Sequence, residues 1–319
     1  MADQFNTPVL FIVFNRPNTT ARVLAEIKKQ QPRYLFVAAD GPRRANKDDE
    51  AKIAEVKAII KKEVDWSCEL KTLYQENNLG CKKAVSGAIG WFFSQVEEGV
   101  ILEDDCLPDQ SFFRFCEELL NYYRNDSRIM QVGGANFQMG NKRGESSYYF
   151  STFNHIWGWA TWRRAWKLFD LKMTEWPKFK RDDLINRLFN SRVEQTYWSS
   201  VMQDMYDNKI DTWDYAWAFA CWKNNGLTCL PNKNLVTNVG FTTGATHSIY
   251  HLKNVANVSL SNMDFSLIHP KAVIRDVVAD SFTNRNHYHL TAVSFYLKKL
   301  LKKLGLFKIS KLLAVKMRD

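Results

Sequence analysis

The stretch from Gly99 to Pro108 reads Gly-Val-Ile-Leu-Glu-Asp-Asp-Cys-Leu-Pro, so that an apolar run ends in three consecutive carboxylates. An unbroken apolar run is typical of a strand buried on both faces of a parallel sheet. Ligands of open α/β sheets bind at the carboxyl ends of such strands. Carboxylate oxygens also suit Mg²⁺ or Mn²⁺ that is shared with substrate phosphates. The stretch therefore predicts a ligand site at Glu103, Asp104 and Asp105, although the triplet alone also fits a solvated acidic turn.

Three further strands are predicted ahead of this one. The first two are apolar runs, and each of the three leads through polar residues into a helical pattern. Four strands alternating with three helices predict a mainly parallel, Rossmann-like α/β sheet with right-handed crossovers, flanked by helices. The predicted strands run from Pro8 to Phe14, Tyr34 to Ala39 and Glu69 to Tyr74, and the predicted helices from Asn18 or Thr19 to about Lys29, Asp48 to Lys62 and about Lys82 to Val96.

Polar side chains follow the predicted strands. Because the carboxyl ends of parallel strands meet at one edge of a sheet, we expect Asn15, Arg16 and Asp40 to gather near the acidic triplet. Asp40 could accept a hydrogen bond from a base N–H, and Arg16 or Arg43 could reach a phosphate. The alternative for Asp40 is a plain turn in which Gly41 takes a positive φ.

The second half of the chain is rich in aromatic residues. A helix from Gln110 to Tyr123 and a strand from Ile129 to Gly133 are predicted first, and nine of the eleven tryptophans then lie between Trp157 and Trp222. Two interpretations remain open, since these rings could form a surface that stacks on sugar or nucleobase rings or could fill a core under long loops. The remaining predicted elements are a helix from Asp214 to Asn224, a strand from Leu227 to Pro231 and a loop from Asn238 to His247.

Two residues of this half are candidates for chemistry. Asp214 begins a predicted helix, where it is either a helix cap or a general base that deprotonates an acceptor hydroxyl. Asp211 is its nearest competitor for the role of base. His247 follows a glycine-bearing loop and is either a metal or phosphate contact or a plain surface histidine.

Composition and charge bound the class of protein. The chain has 319 residues with 45% hydrophobic composition, which is enough for a sizeable core. Its six cysteines form no C-x-x-C pair, and we see no export signal, which predicts reduced thiols in a cytoplasmic protein and argues against a zinc site. No apolar run approaches the roughly 18 residues of a membrane span. Residues Lys298 to Asp319 carry +7 of the net charge of +10, so the body is close to neutral and nucleic-acid binding is not expected.

The C-terminal tail from Leu290 to Lys316 has an amphipathic pattern. Leucines and other apolar residues fall on one helical stripe, with lysines around it. A basic amphipathic helix can lie on an anionic membrane surface, and it can equally dock on its own domain with a solvated basic face.

With these residues in hand, the chain resembles the nucleotide-diphospho-sugar glycosyltransferases of the GT-A fold. It is similar to bacterial proteins that modify surface polysaccharide and, more remotely, to the N-acetylglucosaminyltransferase I type, which also uses Glu-Asp-Asp. The match is good over about residues 8 to 110 and patchy to about 247. The residues that carry it are Val9 to Pro17, Asp40-Gly41, Asn78-Leu79-Gly80 with Ala84 and Gly87, and Glu103-Asp104-Asp105 in the position of the D-x-D-type motif.

The resemblance implies a set of site residues. It implies Mn²⁺ or Mg²⁺ held chiefly by Asp105, and the position of His247 after the glycine-bearing loop makes that residue a separate candidate ligand. The base of the relatives lies in a Trp-Asp-Asp-Trp string, and the counterpart here is Trp213-Asp214-Tyr215, in which Tyr215 replaces the second aspartate. Asp214 as base implies one in-line displacement with inversion. The residues expected to bind the nucleotide sugar are Asn15, Arg16, Asp40, Asn78, Gly80, Lys82, Glu103 and Asp104.

The expected function is transfer of a hexosyl or N-acetylhexosaminyl group from a nucleotide-diphosphate sugar, with a UDP-sugar favoured, to a glycan or lipid-linked acceptor in surface polysaccharide synthesis. We expect a cytoplasmic protein attached peripherally to the inner membrane face by its tail. The alternatives are a non-catalytic glycosyltransferase-like binding module and a sugar-nucleotide pyrophosphorylase. The expected organisation is a GT-A domain over 1–247, with a nucleotide-sugar half (1–110) and an acceptor half (111–247), then a connection (248–289) and the basic helical tail (290–319).

Overall fold

The computed structural model of the chain describes residues 4–240 and 258–291. Two of the features named above lie outside these ranges. They are His247 and the basic tail from residue 298 onward. Within the described ranges, no helix combines the length and the apolar character that a bilayer span requires.

The first half of the chain confirms the predicted alternation of strands and helices. Its elements are β1 (Val9–Val13), α1 (Pro17–Gln30), β2 (Tyr34–Ala39), α2 (Asp49–Glu63), β3 (Glu69–Tyr74), α3 (Cys81–Phe93) and β4 (Glu98–Glu103). The four strands lie in the order β3-β2-β1-β4, and each neighbouring pair is parallel. β1 is central, and Val9 pairs with Leu35 on one side and Val100 on the other. All five residues of β1 are buried, as expected of a strand covered on both faces.

The second half extends the same sheet and adds helices. Its elements are β5 (Cys106–Pro108), α4 (Gln110–Tyr122), β6 (Ile129–Gly133), β7 (Tyr148–Ser151), β8 (Trp159–Trp162), α5 (Arg163–Trp166), α6 (Trp176–Arg181), α7 (Ile185–Leu188), α8 (Arg192–Tyr206), α9 (Asp214–Lys223), β9 (Leu227–Pro231), β10 (Val236–Asn238) and α10 (Val277–Asn286). The eight-stranded sheet has the order β3-β2-β1-β4-β8-β6-β9-β7. β8 and β7 run antiparallel to their neighbours, so six strands share one direction. The mainly parallel α/β sheet is confirmed.

Helices cover both faces of the sheet. On one face, alternate residues of β1 such as Val9 and Phe11 pack with apolar side chains of α1, α2 and α4. On the other face, Leu10 and Ile12 pack with α3 and α9. A third apolar cluster joins α6, α7, α8 and α9. Because both faces are covered, the carboxyl edge of the strands is the part of the parallel half where polar groups meet solvent.

The tryptophans of the second half form core, which settles the two interpretations left open above. Eight of the nine between Trp157 and Trp222 are buried, and Trp157 is the half-buried exception. Trp159, Trp166, Trp213 and Trp217 pack against one another with ring centroids 5.2–6.4 Å apart. Of the two interpretations, the core under long loops is therefore the correct one for these tryptophans. These large rings fill the space between the sheet and the helices on its second face.

Residues 258–291, most of which were expected to be a connection, pack along the outer strand β7. The Asp276 N–H donates to the Phe150 carbonyl oxygen at 2.7 Å, and Arg275 bridges to Phe150 in parallel. The carboxylate of Asp280, which is 1% exposed, accepts from the Ser151 hydroxyl and from Arg275, each at 2.5 Å. This segment thereby covers the edge of the sheet, which would otherwise present unpaired backbone groups.

Two histidines anchor the end of this segment in an apolar setting. His287, just after α10, stacks on Phe137 with ring centroids 4.4 Å apart, and His155 lies 5.7 Å from His287. One ring nitrogen of each is buried without a hydrogen-bond partner among the described residues. Burial lowers the pKa of His287 to about 4 and holds the pKa of His155 well below its usual range. Both rings are therefore neutral in the folded protein near pH 7.

This pairing predicts acid sensitivity. The contribution of His155 and His287 to the free energy of unfolding should fall as the pH drops from about 6.5 towards 4, because the unfolded chain takes up protons at these two residues that the folded protein does not bind. Urea unfolding at pH 7.5, 6.5 and 5.5 measures this slope. The double variant His155→Phe, His287→Phe should show a shallower slope over the same range. A double variant as acid-sensitive as the parent would contradict this account.

Candidate active site

A cavity of about 660 Å³ lies at the carboxyl edge of the parallel strands. Residues that follow β1, β2, β3 and β4 line it, and so does one face of α3. This is the place where open α/β sheets bind ligands. The lining residues are Ile12, Val13, Phe14, Arg16, Ala38, Ala39, Asp40, Arg43, Leu73, Gln75, Asn78, Gly80, Cys81, Ala84, Val85, Ala88, Glu103, Asp104, Asp105, Ile156, Trp157, Asp211, Asn238 and Gly240.

The acidic triplet forms one end of the cavity, and its three carboxylates have different surroundings. Asp104 is 5% exposed and accepts from the Phe14 N–H at 2.9 Å, which ties the end of β4 to the end of β1. Arg16 donates from one guanidinium nitrogen to Asp105 at 2.5 Å and to Asp104 at 3.3 Å. Asp105 is half-buried and Glu103, at the end of β4, is half-buried as well. One cation thus stands against three adjacent carboxylates.

Burial and mutual repulsion perturb these groups. Burial raises the pKa of Asp104 to about 7, against the opposing charge of Arg16. Burial, with repulsion from Asp105 and Asp104, also raises the pKa of Glu103. Burial alone would lower the pKa of Arg16, but the charges of Asp104 and Asp105 outweigh it and raise that pKa. The negative charge of the three carboxylates is therefore not fully compensated by Arg16, and binding of further cations would be favourable.

The donor set suits a cation that arrives with phosphates rather than a resident one. Among residues 4–240 and 258–291, no group of three or more His, Cys, Asp or Glu side chains could hold a metal ion. All three carboxylates line the cavity, where Asp104 accepts from Phe14 and Arg16 and Asp105 accepts from Arg16 at 2.5 Å. Mg²⁺ is commonly held by one or two carboxylates, water and substrate phosphates, and these residues fit that pattern. His247, the other predicted ligand, lies outside the described residues.

A second segment, which sequence reasoning missed, covers the acidic end. β10 pairs antiparallel with β5, and the Val239 N–H beyond it donates to the Asp105 carbonyl oxygen at 2.8 Å. A Cβ on Gly240 would lie 2.5 Å from a carboxylate oxygen of Asp105. Only glycine therefore allows this close approach. In the sequence, the only feature that indicates this segment is Gly240, because a three-residue strand is too short to show a periodic pattern of apolar residues.

Asp40 acts as a clamp on a neighbouring loop. One of its oxygens accepts from the N–H groups of Gly41 and Leu79, each at 2.9 Å. The other accepts from the Gly80 N–H at 3.0 Å and the Asn78 amide at 2.8 Å. This carboxylate therefore fixes the turn that precedes α3, where Gly80 has φ of 80°. Asp40, Asn78 and Gly80 all line the cavity as predicted, but the first two are bonded to each other.

Gly41 has a different role from the expected one. It is absent from the positive-φ residues of the described chain, so the predicted left-handed turn was wrong. A Cβ at this position would lie 2.5 Å from the carbonyl carbon of Asn77. Glycine is needed here for the close approach of two loops, not for its dihedral freedom.

Asn15 does not line the cavity. Its amide donates at 2.7 Å to Asp49, a fully buried carboxylate at the start of α2. Arg43 donates to the same carboxylate from its side chain at 2.6 and 2.9 Å and from its N–H at 3.1 Å. Hydrogen bonds from Arg43 and Asn15 outweigh burial and lower the pKa of Asp49 to about 2. Asn15 thus helps to hold Arg43, which lines the cavity and which the sequence indicated, with Arg16, as a candidate phosphate contact.

On the acceptor side the structure separates the two candidate bases. Asp211 is exposed and lines the cavity. Asp214 does not line it, and accepts from the Thr212 hydroxyl at 2.5 Å and from the Tyr215 N–H at 3.0 Å. Its charge contributes in a minor way to the raised pKa of Glu103. Lys82 also lies off the cavity, with its amine 2.9 Å from the Asn208 side chain.

Comparisons with known proteins do not assign the chain to a family. No protein-family model matches it, and no curated protein matches it by sequence. Among solved structures, UTP-bound UGPase from Acinetobacter baumannii matches with a TM-score of 0.37 and 8% identity, covering 73% of this chain and 88% of that one. Mouse xyloside xylosyltransferase 1 matches with a TM-score of 0.31 and 11% identity, covering 68% and 81%. 4-Diphosphocytidyl-2C-methyl-D-erythritol synthase from Anaerococcus prevotii matches with a TM-score of 0.31 and 9% identity, covering 62% and 99%. Similarity this low supports no functional argument, so function rests on the site.

The Asp40 clamp predicts a stability effect. Replacing Asp40 by Asn turns one acceptor oxygen into a donor that faces backbone N–H groups, and should lower the free energy of unfolding by about 1–3 kcal/mol. Asp48→Asn is the matched control, because the Asp48 side chain is 76% exposed and its ion pair with Lys52 is 3.9 Å long. Urea unfolding measures both. Equal stabilities of the two variants would show that Asp40 is not a clamp.

Proposed function

We propose that the chain is a glycosyltransferase that moves a hexosyl or N-acetylhexosaminyl group from a nucleotide-diphosphate sugar, with a UDP-sugar as first candidate, to a glycan or lipid-linked acceptor. The cavity carries this proposal. It lies at the carboxyl ends of four parallel strands, has a volume typical of a small-ligand site, and ends in an acidic triplet. The basic tail, outside the described residues, would bring the protein to an anionic membrane that holds such an acceptor.

The strand spacing suggests how the donor lies. Neighbouring strands are about 4.8 Å apart, so β3 and β4 are separated by roughly 14 Å, a span comparable to an extended nucleoside diphosphate. Charge is concentrated at the β4 end, where Arg16 meets the triplet. We place the diphosphate at the β4 end and the base towards β3.

Roles at the β4 end follow from the contacts. Asp105, which faces the cavity, would hold Mn²⁺ or Mg²⁺, and the metal would neutralise the charge that develops on the leaving diphosphate. Arg16 would bind a phosphate oxygen. Asp104 keeps Arg16 and the end of β1 in place. Glu103 would accept from a ribose or sugar hydroxyl.

The acceptor must lose a proton as it attacks, and a carboxylate on this side would take it. Asp214 is the residue that the resemblance implies, and Asp211 is the one that lines the cavity. Either as base is compatible with a single displacement and inversion.

The connection between β1 and α1 does not favour a pyrophosphorylase. It consists of Phe14, Asn15 and Arg16, contains no glycine, and has its Phe14 N–H committed to Asp104. A glycine-rich basic loop that could wrap a triphosphate is therefore missing at this point of the described chain. The Asp105→Ala experiment described next distinguishes a non-catalytic binding module from an enzyme.

Asp105 tests the metal and the donor together. Nucleoside diphosphates and their sugars should raise the thermal midpoint in the presence of Mn²⁺, because a ligand that binds only the folded state stabilises it. Asp105→Ala should lose the Mn²⁺-dependent part of the shift and all measurable sugar transfer or donor hydrolysis. Asp264→Ala is the control, since the Asp264 side chain is 89% exposed.

The outcomes separate the candidates. No shift in the parent with any nucleotide would contradict the proposal, and a shift without turnover would leave the binding module. Turnover of a nucleoside triphosphate with a sugar phosphate would instead indicate a pyrophosphorylase.

The paired variants Asp211→Asn and Asp214→Asn identify the base. Loss of the base should lower kcat at least 100-fold while the nucleotide affinity stays within about threefold of the parent, because general base catalysis contributes typically 10²–10⁴-fold. Single-turnover rates and nucleotide titrations measure the two quantities. Full activity in both variants would rule out either carboxylate as base.

A further inference from the structure

The end of the cavity beyond β2 and β3 has one polar side chain that makes no hydrogen bond to the part of the chain that the structure describes. Four polar side chains line the cavity beyond β2 and β3, namely those of Asp40, Arg43, Gln75 and Asn78. The other three make hydrogen bonds within the protein, and Gln75 makes none among the described residues.

Asp40 is saturated. A carboxylate has about four lone-pair sites, and four N–H donors already occupy those of Asp40. It could accept a base N–H only by releasing the loop before α3. The amide nitrogen of Asn78 donates likewise to Asp40 at 2.8 Å and to the Gly41 carbonyl oxygen at 2.9 Å, so Asn78 has only its side-chain oxygen, an acceptor, to offer a base.

Arg43 is committed as well. Its guanidinium donates twice to the buried Asp49, and it lies 5.3 Å from the centroid of the Phe14 ring. Its charge is therefore balanced and its position fixed. A base could stack near this pair, but the remaining guanidinium N–H groups of Arg43 are donors only, so Arg43 offers no acceptor to a base edge.

Gln75 is held in place by its backbone, and its side-chain amide makes no hydrogen bond within residues 4–240 and 258–291. It comes directly after β3, and its N–H donates to the Ala39 carbonyl oxygen at 2.9 Å, which extends the β2–β3 pairing by one residue. The residue is half-buried and lines the cavity. A primary amide presents an acceptor and donors side by side, the pattern that complements the Watson–Crick edge of a nucleobase.

We infer that Gln75 is the residue that discriminates the nucleobase of the donor, and that Asp40 is a positioning residue that shapes the pocket beside it. This inference rests on the proposed function, since it presupposes a nucleotide in the cavity. It departs from the expectation that Asp40 itself contacts the base. The amide matches a base edge that offers one donor and one acceptor, such as the N3–H and O4 of uracil.

Calorimetric titration with UDP, CDP, GDP and ADP in Mn²⁺ tests the assignment. The parent should prefer one base, and Gln75→Ala should reduce that preference on the order of tenfold or more, because two hydrogen bonds are lost. Asn77→Ala is the matched control, since it removes an exposed amide two residues away that does not line this cavity. It should keep the parent's ratios.

Gln75→Glu gives a second, independent readout. The carboxylate replaces the donor by an acceptor, so a base with two adjacent N–H donors, as in guanine, should gain relative to uracil. Circular dichroism and thermal unfolding confirm that each variant is folded. Parent-like ratios in both Gln75→Ala and Gln75→Glu would overturn the assignment alone. Failure of the parent to bind any nucleotide would overturn the proposed function and this inference with it.

Discussion

Three carboxylates at the end of one buried strand repel one another, and the structure depends on how that repulsion is offset. Asp104 turns inward and accepts the Phe14 N–H, while Arg16 donates to Asp104 and Asp105 together. These contacts tie the end of β4 to the end of β1 and to the first turn of α1. Burial still raises the pKa of Asp104 to about 7, so compensation is incomplete. This edge of the sheet therefore favours the binding of cations and of ligands that carry them. That preference is the physical basis of the proposed donor site.

The first four strands could be predicted because each is specified by local pattern. β1 and β4 are near-continuous apolar runs, and the helices between strands carry a 3.6-residue period. β7 and β8 could not, because they are four-residue segments whose pairing partners are distant in sequence. Trp159 and Trp162 carry no alternation, since both faces of β8 are buried. Pairing with strands that are distant in sequence sets their conformation, and local propensity does not.

The candidate site shows the same limit at the level of single side chains. The rule that polar residues after parallel strands gather at one edge correctly placed Arg16, Asp40 and Glu103 in the cavity. It could not tell which of them stay available to a ligand. The carboxylate of Asp40 is hydrogen-bonded to a loop some forty residues away along the chain. The amide of Asn15 is hydrogen-bonded to Asp49 at the start of the next helix. Gln75 follows β3 in the same manner and was overlooked, although the same rule would have found it.

A crystal structure of the protein with Mn²⁺ and the nucleoside diphosphate that stabilises it best tests the central claim most directly. We expect density for the nucleotide across the carboxyl ends of β1 to β4. The diphosphate should lie beside Asp105 and Arg16, and the base should lie towards the end of β3. The Arg16 guanidinium should then contact a phosphate oxygen. A nucleotide bound away from this edge, or an edge without ligand at a concentration that saturates binding in solution, would contradict it.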